Sequence, residues 1–317
     1  MKAKKLLAGV LTCTMVFAMG MTAFAADGKP IIYKNYVLEN DNTTSPAEMF
    51  NFKAEFKSVS EAAENVTGPE LTIASALYAE GENEKKELAI SHKDPFPSVG
   101  IYTYIVKETN NGTAGVAYDD TEKTLKVTVT NATDGEEGFV ESYAFFNTDG
   151  TKSDTVVNTY KAGSLRVQKQ VTGNLGDKNK KFEVTVKFKT DKTVNSTISY
   201  EQDKNIKSTD WKEGEATAVV EIKNGQTVTF SNIPYGVTYE VVEANYKDAG
   251  YDAPKYKYDD INKKIDSTSE GVLITNNKNQ GVDTGINLTT LPYMLTIAAI
   301  FVIAAIAFVA KRRRFED

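Results

Sequence analysis

Gly236-Val237-Thr238-Tyr239-Glu240-Val241-Val242-Glu243 decides the fold, because its apolar side chains recur at every second position. Side chains two apart on a strand point the same way, so Val237, Tyr239 and Val241 line one face while Thr238 and Glu240 line the other. Working outward, the same alternation recurs in Leu165-Arg166-Val167-Gln168, Phe182-Glu183-Val184-Thr185-Val186, Ala218-Val219-Val220-Glu221-Ile222 and Thr227-Val228-Thr229-Phe230. Turn clusters punctuate these runs, among them Asn174-Leu175-Gly176-Asp177, Asn224-Gly225 and Pro234-Tyr235-Gly236. Short strands at regular spacing predict an all-β chain built from Ig-like β-sandwiches. Only the segment from roughly Pro46 to Glu64 has helical character, and it is weak.

The arrangement occurs twice. The first copy runs through Ile31-Ile32-Tyr33-Lys34, Phe52-Lys53-Ala54-Glu55-Phe56, Gly100-Ile101-Tyr102-Thr103-Tyr104-Ile105-Val106-Lys107-Glu108 and Val156-Val157-Asn158. The second runs through Leu165 to Lys169, Phe182 to Val186, Gly236 to Glu243 and Leu273-Ile274-Thr275-Asn276. Lys34 to Glu108 spans 74 positions, and so does Lys169 to Glu243. Glu to Asn differs, 50 positions against 33, which gives the first domain an extra hairpin around Thr124 to Thr130 with its turn at Asp134-Gly135.

Alternation puts Lys34, Glu108 and Asn158, and likewise Lys169, Glu243 and Asn276, on the apolar faces of their strands. Asn277, the neighbour of Asn276, falls on the opposite face. Isolated buried charges cost several kcal/mol each, so a core that holds them needs compensation. One arrangement removes the charge. Desolvation makes a lysine a neutral nucleophile and keeps a glutamate protonated. The amine then attacks the Asn side-chain carbonyl, with Glu108 or Glu243 as the catalytic residue that polarises that carbonyl and shuttles protons, and ammonia leaves. The expected cross-links are Lys34 to Asn158 and Lys169 to Asn276, each an isopeptide bond between the first and last strand of a domain. Three unrelated snorkelling or exposed residues per domain would be the plainer reading, but the duplicated order and equal spacing disfavour it.

The ends carry export signals. Lys2, Lys4 and Lys5 precede the apolar run Leu6 to Met21, and Ala23-Phe24-Ala25 predicts signal-peptide cleavage between Ala25 and Ala26. Cys13, the only cysteine, lies inside this peptide, so the mature chain has no disulfide. At the other end Gly281-Val282-Asp283-Thr284-Gly285 precedes an apolar run from Leu291 to Ala310 and then Lys311-Arg312-Arg313-Arg314. Such a run is long enough to span a bilayer, and the cations hold the short tail on the cytoplasmic side. The order resembles the cell-wall sorting signal of Gram-positive surface proteins, which a sortase cleaves between Thr and Gly. The resemblance places cleavage between Thr284 and Gly285, although the usual Leu-Pro-x-Thr-Gly is replaced here. Trimming to 26–284 takes Lys plus Arg from 37 to 30 and Asp plus Glu from 43 to 41, so the net charge moves from −6 to −11. A chain this acidic is no nucleic-acid binder.

With both ends and both domains read, the chain resembles the streptococcal-type major (backbone) pilins of Gram-positive bacteria, with two isopeptide-linkage domains similar to the B-type domains of collagen-adhesin stalks. The resemblance implies a signal peptide (1–25), an N-terminal isopeptide-linkage sandwich (26–161), a C-terminal B-type sandwich (162–280) and a sorting signal (281–317). It implies partners too: a sortase, neighbouring copies in a covalent fibre, cell-wall peptidoglycan and minor pilins, with the membrane occupied only before sorting. A backbone pilin also needs a lysine to receive its neighbour's Thr carboxylate. Some members take it from a Tyr-Pro-Lys-Asn motif, which is absent here. Others use a lysine just upstream of the first domain's last strand, a place occupied by Lys152, with Lys161 as runner-up.

Other chemistry finds little support. The only histidine, His92, reads as part of a Lys- and Pro-containing loop, and no cysteine remains to pair with it. No metal site and no cofactor are expected, since Glu39-Asn40-Asp41-Asn42 lacks the Gly and terminal Glu of a calcium loop. The chain is read as no conventional enzyme: a structural fibre subunit, or alternatively a monomeric wall-anchored adhesin or basal pilin binding a host or matrix ligand.

Overall fold

The computed structural model describes residues 30–280, apart from residues 61, 63, 64 and 133–137. The signal-peptide junction Ala25/Ala26 and the sorting signal with Thr284 and Gly285 lie outside the described residues. Within them the chain is all-β in two sandwich domains, with a single 3-10 turn at Lys247–Ala249.

The first domain contains β1 (Ile31–Leu38), β2 (Glu48–Phe50), β3 (Phe52–Ser60), β4 (Leu71–Ile73), β5 (Ala76–Tyr78), β6 (Lys85–His92), β7 (Gly100–Glu108), β8 (Val116–Ala117), β9 (Lys123–Asn131), β10 (Phe139–Phe146) and β11 (Thr155–Tyr160). One sheet has the order β4-β6-β1-β11-β8, the facing sheet β10-β9-β7-β3, and β2 pairs with β5. The second domain contains β12 (Ala162–Thr172), β13 (Phe182–Lys189), β14 (Ile198–Gln202), β15 (Asn205–Thr209), β16 (Glu215–Ile222), β17 (Thr227–Pro234), β18 (Thr238–Glu243), β19 (Lys255–Tyr258) and β20 (Ser269–Asn277). Its sheets run β15-β14-β17-β12-β20-β19 and β16-β13-β18.

Each domain has its own apolar core between its sheets. In the first, Tyr36, Phe50 and Tyr78 pack edge to face at centroid separations of 5.1, 5.4 and 5.6 Å, the geometry favoured by the ring quadrupole. The strand expected around 124–130 is β9, which pairs with β10 and with β7, while its expected turn at Asp134-Gly135 lies outside the described residues.

The helical reading of 46–64 is wrong. Phe52, Ala54 and Phe56 sit half-buried while Lys53, Glu55 and Lys57 face solvent, which is period two. Pairing along β7 decides it, with a bulge between Phe56 and Ser58 that shifts the register. Good helix formers such as Glu48 and Ala54 are overridden because neighbouring strands, β5 for Glu48 and β7 for Ala54, take up the backbone hydrogen bonds. His92 is also corrected: it ends strand β6 instead of lying in a loop.

One topological feature positions everything that follows. In both domains the first and last strands are parallel neighbours, β1 with β11 and β12 with β20. Lys34 pairs with Val156 and Tyr36 with Asn158; Lys169 pairs with Ile274 and Val171 with Asn276. Each asparagine therefore lies diagonally across from its lysine on the same inward face, within reach of a long side chain.

Candidate functional site: two buried Lys-Glu-Asn clusters

In the first domain, Lys34 is fully buried on β1, and its Nζ lies 2.9 Å from Glu108 Oε1 and 3.1 Å from Oε2. Glu108, at the end of β7 in the facing sheet, has a side chain only 1% exposed. Asn158 Nδ2 donates to Glu108 Oε1 at 2.7 Å, so the carboxyl meets the amide nitrogen and not the carbonyl oxygen it was expected to polarise. The Asn158 carbonyl oxygen accepts from the backbone N–H of Asp119 at 2.9 Å. Because a backbone N–H can only donate, the two contacts fix the amide orientation of Asn158 from both sides. Phe50 forms the floor, its ring centroid 4.4 Å from Lys34 Nζ.

The second domain repeats the plan with tighter contacts. Lys169 Nζ lies 2.7 Å from Glu243 Oε2, with both side chains shielded from solvent. It also donates to Asn276 Oδ1, while Asn276 Nδ2 donates to Glu243 Oε1. Phe182 is the floor here, 4.2 Å from Lys169 Nζ. Asn277 points away and bonds Thr172 and Asp252 instead.

The electrostatics follow from burial. Desolvation pulls the Lys34 ammonium down to about 8, although the Glu108 carboxylate opposes the shift. Desolvation likewise raises the Glu108 carboxyl above its ordinary range, against the pull of Lys34. Lys169 is lowered by burial, with Glu243 opposing. In the first cluster, moving Lys34 down and Glu108 up brings the neutral amine and the protonated acid toward the ion pair in energy. That neutral form is a nucleophile beside an acid, with an amide carbonyl alongside.

The remaining sequence-marked residues stand apart from these clusters. Lys152 is exposed in the β10–β11 loop, bridged to Phe146 through its backbone. Lys161, in the link between the domains, pairs with Glu39 at 3.0 Å. Asn40 belongs to a turn that reaches the second domain, donating to the Ala162 carbonyl at 2.9 Å. His92 Nε2 meets the Glu141 carboxylate at 3.0 Å. Phe50, Phe182 and Asp119 were not singled out from sequence. They reach the clusters through space from strands and loops whose spacing differs between the two copies.

Comparisons with known proteins complete the picture. Residues 31–161 match the family model described as a Spy0128-like isopeptide containing domain, and residues 163–278 match a domain of unknown function (DUF7601). A pilin of Streptococcus pyogenes serotype M1 is 26% identical over 315 residues, covering 90% of this chain and 91% of its own. The crystal structure of the major pilin from Streptococcus pyogenes superposes with a TM-score of 0.59 at 24% identity, covering 79% of this chain and 98% of that one. The T3.2 major pilin of the same species gives 0.54 at 23% identity, covering 78% and 96%. Structures at these identities speak for the fold.

Proposed function

We propose that this chain, a pilin subunit of the Gram-positive isopeptide-domain kind, is the backbone unit of a sortase-assembled surface fibre. The observation that carries the reading is the buried Lys-Glu-Asn cluster, present once in each domain between its first and last strands.

In each cluster the neutral lysine amine attacks the Asn Cγ, and charge develops on Oδ1. Glu108 or Glu243, holding the proton that the lysine gave up, passes it to the departing –NH2 and takes another from the attacking nitrogen, so one C–N bond forms, one breaks and ammonia leaves. Burial of the side chains strengthens these electrostatic interactions and shields the carbonyl from bulk solvent. Parallel pairing of the end strands supplies proximity, holding the reacting groups in place once the domain folds. The products tie Lys34 to Asn158 and Lys169 to Asn276.

Between subunits, sortase cleaves after Thr284, and the Thr284 carboxylate is transferred to Lys152 of the next copy, with Lys161 the second choice because it is already engaged by Glu39. The same signal delivers the finished fibre to cell-wall peptidoglycan. Cell-wall extracts boiled in detergent should therefore show a high-molecular-weight ladder, collapsing to monomer in Lys152→Ala. A single wall-linked monomer band from the unaltered chain would contradict the fibre and favour a wall-anchored adhesin or basal pilin.

A further inference from the structure

The two clusters are not equivalent, and the difference lies at the atom where charge develops. In the second domain Asn276 Oδ1 faces the attacking nitrogen itself, accepting from Lys169 Nζ. Among the described residues no backbone N–H donates to this oxygen. In the first domain Lys34 Nζ points to both oxygens of Glu108, and Asn158 Oδ1 is held instead by the Asp119 N–H at 2.9 Å.

This donor is built into the fold. Strand β8 pairs antiparallel with the end of β11, Ala117 opposite Thr159 and Val116 opposite Tyr160, which carries the chain back past Asn158. The loop is then closed on itself: Asp119 Oδ1 accepts from the backbone N–H and hydroxyl of Thr121, and Asp119 Oδ2 meets Lys123 Nζ at 2.8 Å. Lys123 is in turn tied to Asn147 Oδ1 at 3.1 Å. The N–H is thus fixed before any reaction, with no reorganisation left to make as charge develops.

We infer that the backbone N–H of Asp119 is the oxyanion donor for closure of the Lys34–Asn158 bond, a catalytic group without a counterpart among the described residues of the second domain. The inference rests on the proposed bond. When the Lys34 amine adds to Asn158 Cγ, the carbonyl π electrons move onto Oδ1, and the Asp119 N–H stabilises that oxygen until the carbonyl re-forms and ammonia departs. Glu108 moves the protons; Asp119 moves none. One such donor is worth about 100- to 1,000-fold in rate.

The test follows bond closure in time. The full chain is made in denaturant, so that no bond has formed, and diluted into folding buffer with mild detergent. Loss of ammonia is then assigned to each domain by fragment mass. Asp119→Pro removes the N–H; where that variant folds poorly, replacing the 118–119 amide by an ester removes the same hydrogen with little change of shape. Asp119→Ala keeps the N–H and loses only the side chain. The expected result is about a hundredfold slowing of first-domain closure in the Pro or ester variant. The same factor should hold at every pH, with second-domain closure unchanged in the same molecules and Asp119→Ala, which loosens the loop but keeps the donor, slowed by clearly less than the ester. Unchanged closure in the ester variant overturns the inference while leaving the bond in place, and so does an Asp119→Ala defect as large as the ester's. If the parent chain loses no ammonia from the first domain, the bond itself fails, and the inference with it.

Discussion

At the scale of single residues, the chemistry turns on where one proton sits. The reactive form of the first cluster, neutral Lys34 with protonated Glu108, carries the same number of protons as the ion pair. Its share is therefore constant between the two apparent pKa values of the coupled pair. Closure of the first domain should fall above about 8, where the pair gives up its shared proton. In Asn158→Ala, which keeps Lys34 and Glu108 but cannot close, the same burial becomes a stability effect. The folded Lys34 value, about 8, lies below its unfolded value of 10.5. The unfolded chain then binds more protons than the folded one between those values, so stability rises across that window by about 1 kcal/mol per pH unit. Urea titrations at pH 8 and pH 10 would measure it; a flat or falling stability contradicts a desolvated lysine. That Lys34, Glu108 and Asn158 meet in the core was legible in the sequence, because each falls on the apolar phase of its strand. Asp119 and Phe50 were not legible, since nothing about their spacing marks a residue that arrives from another strand or loop.

At the scale of elements, the deciding feature is the parallel pairing of each domain's first and last strand. The alternation of Leu165 to Lys169 and Leu273 to Asn276 announces strands, but which strands become neighbours is set by long-range pairing that local pattern does not encode. The same limit explains the misreading of 46–64, where local helix formers lost to the pairing of β3 with β7. The parallel pair β12–β20 is held together just past its end by Gly173, in a left-handed conformation (φ 92°), where an added Cβ would lie 2.2 Å from the Lys278 carbonyl oxygen. Lys278 N–H in turn donates to the Thr172 carbonyl at 3.1 Å. Gly173→Ala should destabilise the second domain by about 1–3 kcal/mol through strain and lost closure, read as a lower urea midpoint. An unchanged midpoint would mean that this clasp does not support the strand pair.

At the scale of the whole molecule, two cores are joined by a link that is hydrogen-bonded from both sides. Lys161 N–H donates to the Gly115 carbonyl at 2.8 Å, and its own carbonyl accepts from Tyr235 at 2.9 Å. Thr44 N–H reaches Asn232 Oδ1 at 3.1 Å, and Ala114 N–H the Thr193 carbonyl at 2.8 Å. The only cysteine, Cys13, lies outside the described residues, so no disulfide stabilises the two domains, and the proposed bonds fill that role. Lys169 to Asn276 closes a loop of 107 positions. By the chain-entropy treatment of a cross-link, a loop of that length contributes about 4–5 kcal/mol. Asn276→Ala should lose that amount in the second domain, seen as a large drop in its calorimetric transition alone, and an unmoved transition would contradict the staple. The most direct measurement is the intact mass of the mature chain, residues 26–284. Two covalent closures make it lighter than its sequence by two molecules of ammonia, and Glu108→Ala and Glu243→Ala should each restore one. A mass equal to the sequence mass would contradict the isopeptide chemistry in both domains.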